Sequence, residues 1–259
     1  AALERAVLWA LRRIQAGDPV TADDAYAEAA RPFLNAAWRE SKTGRWRDSP
    51  KRCCCLHEHY YPDHHTTPEP ERIQRMIATV QRGLTHAVAR VLPALAAVRP
   101  EQEVAIHQAG GGDPESFLLD GLKVYAIPDY AYRDGDTLHI HDWKSGQIRP
   151  SHRDQMAVYG LWAHTVHGQA PGAIRVHLEY LPHETTASDT ATAAGLEQAR
   201  AMIRQSAADM AAYLVNGDAR RNEPLPREDW DLCAEPDVCR RCAFYELCKP
   251  ELGGAGPAG

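Results

Sequence analysis

The chain has 259 residues, 44% of them hydrophobic and 25% charged, which is ordinary for one large soluble domain or one domain with additions. A net charge of -6 excludes a strongly basic, non-specific nucleic-acid coat. It leaves room for a local basic groove, or for a site whose positive charge comes from a metal ion. No stretch approaches the ~18 consecutive apolar residues of a membrane span, so no membrane partner is expected. The seven cysteines are an odd number, with three adjacent at Cys53, Cys54 and Cys55. They suit ligation in a reducing cytoplasm better than a disulfide framework.

Ala1–Ala16, with Glu4, Arg5, Arg12 and Arg13, reads as an amphipathic helix rather than a signal peptide, and Gly17-Asp18-Pro19 stops it. Thr21–Glu40 is a second helix, bent near Pro32, and Ser41–Pro50 is turn-rich. Glu71–Val98 places Ile73, Ile77, Val80 and Leu84 on one helical face, with Pro93 kinking or ending it. Extended segments follow at Val104–His107, Phe117–Leu119 and Val124–Tyr132, with a loop at Gly110 to Pro114. Arg133-Asp134-Gly135-Asp136 is a hairpin turn leading into a strand over Thr137–Lys144. A helix runs from Ser151 to His167, with Asp154 placed to close its N-terminal cap. Ile174–Leu181 is a strand, Asp189–Val215 a helix, and the tail is loop-like with four cysteines. This order predicts an α/β core with helical additions.

Asp129, Asp142 and Lys144 carry the strongest chemical signal. Residues two apart on a strand share a face, so Asp142 and Lys144 point the same way. With Asp129 on the neighbouring strand, two carboxylates form a hard-cation site for Mg²⁺ or Mn²⁺ beside one ammonium. Such a metal lowers the pKa of a bound water, and the ammonium stabilises charge on a phosphoryl oxygen, so phosphodiester hydrolysis suits the set. Asp-x-Lys alone is more often a surface salt bridge. Gln155 and Tyr159, four apart, share a helical face and are placed to bond a ligand or a phosphate.

In the tail, Cys239-Arg240-Arg241-Cys242 and Cys248 bring thiolates to one centre at little backbone cost. With Cys233 they would form a local four-cysteine zinc site. His57, His59, His64 and His65 read as a solvated loop rather than a zinc cage. Arg45, Arg47, Lys51 and Arg52, interleaved with Trp46, suit a DNA-contacting edge or a plain polar loop, and Arg240 and Arg241 are placed to extend it. There is no Walker loop, dinucleotide fingerprint or helicase motif, so translocation would need a protein partner.

The stretch from Asp120 to Tyr159 resembles the active-site segment of RecB-like nucleases in the PD-(D/E)XK superfamily. These place an Asp, then (D/E)-x-K, then Gln-x-x-x-Tyr, as Asp129, Asp142, Lys144, Gln155 and Tyr159 do here. The resemblance implies a restriction-endonuclease-like α/β core, a mixed central sheet flanked by helices. It implies that Asp129, Asp142 and the Trp143 backbone carbonyl hold Mg²⁺ or Mn²⁺. His86 stands where many members carry a further ligand, in Gly-x-x-His instead of the commoner Gly-x-x-x-His, and Glu103 is a further acid. The tail spacing Cys-x-x-Cys-x5-Cys, with Phe244, is similar to the branch that carries a 4Fe–4S cluster, including AddB-type and CRISPR-associated exonucleases. There Cys239, Cys242 and Cys248 would join Cys55, which opens Cys55-Leu56-His57-Glu58-His59-Tyr60-Tyr61 with Leu56 in place of the usual Pro. Cys53 and Cys54 remain alternatives. The expected layout is a helical region over 1–100, a nuclease core over 101–216 and an iron–sulfur segment over 217–259, packed together. The implied activity is cleavage of DNA, single-stranded or with free ends, in repair, recombination or CRISPR or phage defence. A catalytically weak DNA-end docking subunit is the rival.

Overall fold

The computed structural model describes residues 1–62, 65, 67–107, 113–233, 235–239, 242 and 244–251. The loop expected at Gly110 to Pro114 and the residues His64, Arg240 and Arg241 lie wholly or partly outside these. The chain forms two compact units, one from Ala1–Ala36 and Glu69–Met202, the other from the described residues of Ala37–Pro68 and Ile203–Gly259.

The first unit is built on a four-stranded mixed sheet. Its strands are β3 (Tyr130–Asp134), β4 (Thr137–Lys144), β5 (Ile174–Tyr180) and β6 (Thr185–Thr190), in the order β3-β4-β5-β6. β3–β4 and β5–β6 are antiparallel, while β4 and β5 are parallel and joined through the helix α7 (Ser151–His167). A separate hairpin, β1 (Ser116–Leu119) with β2 (Leu122–Tyr125), turns at Asp120 and Gly121, both at positive φ. Leu138, Ile140, Ile174, Val176 and Leu178 alternate along β4 and β5 and are buried on one face. The run Tyr159 to Ala163, with Met156, is buried on α7, so the middle of this helix is covered on more than one side.

The N-terminal helices form another layer. α1 (Ala2–Gln15) buries Leu3, Ala6, Val7, Ala10 and Leu11, the i, i+3, i+4 stripe of an amphipathic helix. It packs with α5 (Glu69–His86) and α6 (Leu92–Leu95) in a core that also takes Tyr130, Trp143 and Leu181. Gly83 allows the close approach of α5, since a Cβ there would meet Leu3 at 2.9 Å.

Several expected boundaries shift. Thr21–Glu40 resolves into α2 (Ala22–Ala25), a π-helical turn over Tyr26–Ala30 and α3 (Arg31–Lys42), so the break lies before Pro32, whose missing N–H favours it. Pro93 acts in the same way: a π turn over Ala87–Val91 separates α5 from α6. Val104–His107 is not a strand; Glu103 makes one bridge to Tyr132, and Val104 donates to the Ala131 carbonyl. Val124–Tyr132 is two strands with a break over 126–129. Asp154 makes no cap, because Pro150 takes the cap position and no side chain bonds there. Asp189 belongs to β6, and the next helix, α8, spans Ala193–Ala211. β6 escaped notice because Thr185–Thr190 is a polar edge strand with no buried face to impose alternation. Among the described residues no helix is long and apolar enough to cross a membrane.

In the second unit, a 3₁₀ turn at Arg45–Arg47 is followed by the short helix α4 (His57–Tyr60). The tail adds α9 (Pro236–Cys239) and α10 (Tyr245–Cys248). The Tyr61 and Tyr245 rings meet edge-on at 5.9 Å, so the upstream and tail segments of this unit touch.

Candidate active site

Asp142 and Lys144 lie on the β4 face that looks toward α7. Asp129 is not within a strand, as the alternation predicted, but immediately before β3; its N–H donates to the His141 carbonyl at 3.2 Å, extending the ladder by one residue. That ladder aims the Asp129 carboxylate at β4, where Oδ2 accepts the Trp143 N–H at 2.5 Å. Lys144 Nζ lies 2.6 Å from Asp142 Oδ2 and donates to Gln155 Oε1 at 2.5 Å. Gln155 Nε2 donates to the Tyr159 hydroxyl at 2.8 Å, and that hydroxyl lies 3.0 Å from the Ile127 carbonyl and 3.2 Å from Asp142 Oδ1. Asp142, Lys144, Gln155 and Tyr159 thus form one connected network, and Asp129 adjoins it through the Trp143 backbone.

Burial and like charge act together on the two carboxylates. Burial, then the Asp142 carboxylate, then Glu4, push the Asp129 carboxyl up to about 8, against the opposing Trp143 N–H and Lys144. Two acids are crowded in a place that water cannot compensate, which is the condition a divalent cation relieves. Asp129, Asp142 and the Trp143 carbonyl are oxygen donors, so the set fits Mg²⁺ or Mn²⁺. Among the described residues no three His, Cys, Asp or Glu side chains already converge on one point. Burial and the neighbouring Asp142 and Asp129 likewise raise the Tyr159 phenol, keeping it a neutral donor.

Reasoning from spacing missed three residues here. Glu4 enters the field of Asp129, whereas His86, at the end of α5, makes no side-chain hydrogen bond or ion pair among the described residues. The signal for Glu4 was its place at the edge of the apolar stripe of α1. His152, three before Gln155 on α7, holds the Tyr180 hydroxyl at 3.0 Å and feels both Lys144 and Asp142. Tyr180 is the β5 residue paired with Lys144. Glu103 is not beside the carboxylates. It accepts from the Arg12 guanidinium, from Gln15 at 3.1 Å and from the Tyr130 hydroxyl at 3.0 Å, and so braces α1 against β3.

Behind Asp142, on the opposite sheet face, lies a ladder of imidazoles. His141 Nδ1 is 2.7 Å from Glu179 Oε1, His139 Nδ1 is 3.0 Å from His177 Nε2, and His177 Nδ1 is 2.8 Å from the Ser188 hydroxyl. Burial lowers His141 to about 3; burial, then His141, His139 and Arg175, lower His177 to about 3; burial and Asp142 raise Glu179 well above the usual carboxylate range. The layer beneath the site is therefore held uncharged. The unfolded chain takes up protons on these histidines near pH 6.5 and the folded chain only near pH 3. The contribution of these histidines is thus full above about pH 6.5 and is lost as the pH drops toward 3, whereas the raised Asp129 and Glu179 carboxyls contribute with the opposite sign. The histidine part of the change in thermal melts is expected to be a loss of roughly 5 °C or more between pH 7 and pH 4.5, read as the difference in pH slope between the wild type and a histidine variant. The slope should be shallower in His177→Gln.

In the second unit, Arg45, Arg47, Lys51 and Arg52 are exposed, but Trp46 is only 7% exposed, so its ring is not the free stacking surface that interleaving suggested. Its Nε1 donates to the Ser41 carbonyl at 3.0 Å, and the Arg47 guanidinium lies 4.3 Å from its ring centre. His57 and His65 pair at 3.1 Å, and His59 bonds the Ser41 hydroxyl at 2.7 Å. Burial and the nearby thiols Cys233, Cys242 and Cys248 raise the Cys239 thiol, placing four tail cysteines in one neighbourhood. Cys242 Sγ accepts the Phe244 N–H at 3.4 Å, the polarity that suits a thiolate ligand. The charged groups acting on Cys55 are Cys54 and Arg47.

A mixed sheet with two crowded carboxylates, a lysine and a Gln–Tyr pair on the crossover helix is an arrangement suited to a divalent-metal hydrolase. The family model of the PD-(D/E)XK nuclease superfamily matches residues 6–249, and the chain belongs to that superfamily, whose members cleave phosphodiester bonds. No curated protein and no solved structure matches it.

Proposed function

We propose that the protein is a RecB-like, Mg²⁺- or Mn²⁺-dependent deoxyribonuclease that trims single-stranded DNA from free ends in the cytoplasm, working with a partner that supplies translocation or targeting. The observation that carries the reading is the unbroken chain of bonds from Asp142 through Lys144 and Gln155 to Tyr159, beside the Asp129 carboxyl held up near 8. When bound, the metal ion would supply a water of lowered pKa and a Lewis acid for the phosphoryl oxygen. Asp129, Asp142 and the Trp143 carbonyl would hold the ion. The Lys144 ammonium would orient the attacking water or neutralise charge on the phosphate, and Gln155 and Tyr159 fix where that ammonium points. His86 as a further ligand has the weaker support, and Glu4 is better placed electrostatically. Phosphates would be met by Arg45, Arg47, Lys51 and Arg52. The test is a digest of end-labelled single-stranded DNA with Mn²⁺, beside the same strand circularised. Mononucleotides from the linear strand alone support end-dependent trimming. Cutting of the circle makes the enzyme an endonuclease, and no cutting of either leaves the docking subunit as the better reading.

For the cysteines we propose a 4Fe–4S clasp of Cys55, Cys239, Cys242 and Cys248, supported by the tail spacing and by the joining of Cys55 and the tail in one compact unit. A second reading, zinc on Cys233, Cys239, Cys242 and Cys248, is favoured by the place of Cys233 among the thiols acting on Cys239. Protein purified without oxygen should show a broad visible absorbance and contain iron, and Cys239→Ser should lose both. Colourless protein containing zinc would establish the local set instead.

A further inference from the structure

We propose that the second unit carries a nucleobase-binding pocket, in which an unpaired base of single-stranded DNA stacks against Tyr60; this deepens the nuclease reading and rests on it. A cavity of about 520 Å³ is lined by Trp46, Arg47, Pro50, Tyr60, Tyr61 and Glu246. That lies within the roughly 300–1,000 Å³ of small-ligand sites. Its floor is rigid. Trp46 and Tyr61 are 7% and 5% exposed, and Trp46 is pinned by its bond to the Ser41 carbonyl. Tyr60 stands above them, 41% exposed, with its ring 5.2 Å from Trp46 and 4.4 Å from Tyr61.

A tyrosine held on two sides by other rings presents a π-face already ordered, so stacking a base on it costs little further side-chain freedom. The charges at the rim select the ligand. Arg47 lines the cavity, and Arg45, Lys51 and Arg52 are exposed on the same short segment. They match a phosphodiester backbone. Glu246 is an acceptor facing the same cavity, and it suits the exocyclic amine of adenine or cytosine. An acidic peptide would meet Arg47 but would be repelled by Glu246, and it has no flat group for the ring. The bases of a duplex are already stacked and cannot enter, so the pocket selects unpaired strands.

The test is binding without cleavage. Fluorescence anisotropy of the full chain, in buffer without added divalent ions, compares oligodeoxyadenylate with an abasic chain of equal length and charge. Tyr60→Ala is expected to weaken binding of the adenine strand about ten-fold and leave the abasic strand unchanged, whereas Tyr60→Trp keeps the affinity. Arg47→Ala should weaken both strands and flatten the salt dependence. Equal loss from both strands in Tyr60→Ala, no loss from either, or a wild-type protein indifferent to the bases would overturn the pocket. No cleavage enters the readout, so these outcomes are separate from failure of the digest.

Discussion

Lys144→Ala is expected to lower kcat for DNA cleavage by about 10²–10³-fold, the usual cost of removing one preorganised charge from a developing oxyanion. Lys144 Nζ bridges Asp142 and Gln155, so the ammonium is held where the sheet and α7 face each other. Its removal leaves both carboxylates in place. Calorimetric titration with Mn²⁺ should therefore show binding preserved or tightened, because one competing cation is gone. The pattern of lost turnover with retained metal separates a catalytic lysine from a structural one. Cleavage within about three-fold of wild type would place the chemistry elsewhere. Lys144→Arg keeps the charge but replaces a compact ammonium with a planar fork, and should recover only part of the rate.

The second large effect is on stability. Trp162→Ala is expected to cost about 3–5 kcal/mol, the range for deleting a large aromatic from a packed core. Trp162 is fully buried on α7, meets His167 edge-on at 4.6 Å, and donates Nε1 to Glu115 Oε1 at 3.0 Å. Burial would raise the Glu115 carboxyl, but the hydrogen bonds from Trp162 and His107 outweigh it and hold the group below its usual range. The alanine variant removes both the ring and that donor. Urea unfolding should show the loss with little change in the slope m, while Trp162→Phe, which keeps most of the volume, should lose less. Because α7 also carries Gln155 and Tyr159, a loss of cleavage that persists well below the melting transition would mean that Trp162 also positions the site.

Much of the site was legible because it is local. Asp142 and Lys144 sit two apart on one strand, and Gln155 and Tyr159 four apart on a helix whose observed bounds match the expected Ser151 to His167. Each pair shares a face through backbone geometry alone. Asp129 lies beside Asp142 and Lys144 through its bond to the Trp143 N–H, but its position just ahead of β3 was not foreseen. The alternation of Tyr130 and Ala131 says nothing about where the ladder begins. Glu4 carried only the weak signal of its place at the edge of the α1 stripe and His152 none, since a glutamate on a helix edge and a histidine in a first turn are ordinary surface residues until another element faces them.

The sequence by itself determined the local periodicities: the amphipathic α1, the apolar stripe of α5, the alternation of β4 and β5, and the spacing of acid, acid, lysine, glutamine and tyrosine. Only the tertiary structure decided the rest. It placed β6 as a polar edge strand, brought Glu4 into the field of Asp129, and stacked His139, His141 and His177 as an uncharged layer behind Asp142. It also turned Trp46 inward and left Tyr60 exposed. The physical reason is that periodicity follows from the backbone within one element, whereas burial, field and pKa depend on which residues of distant elements come to lie within a few ångströms.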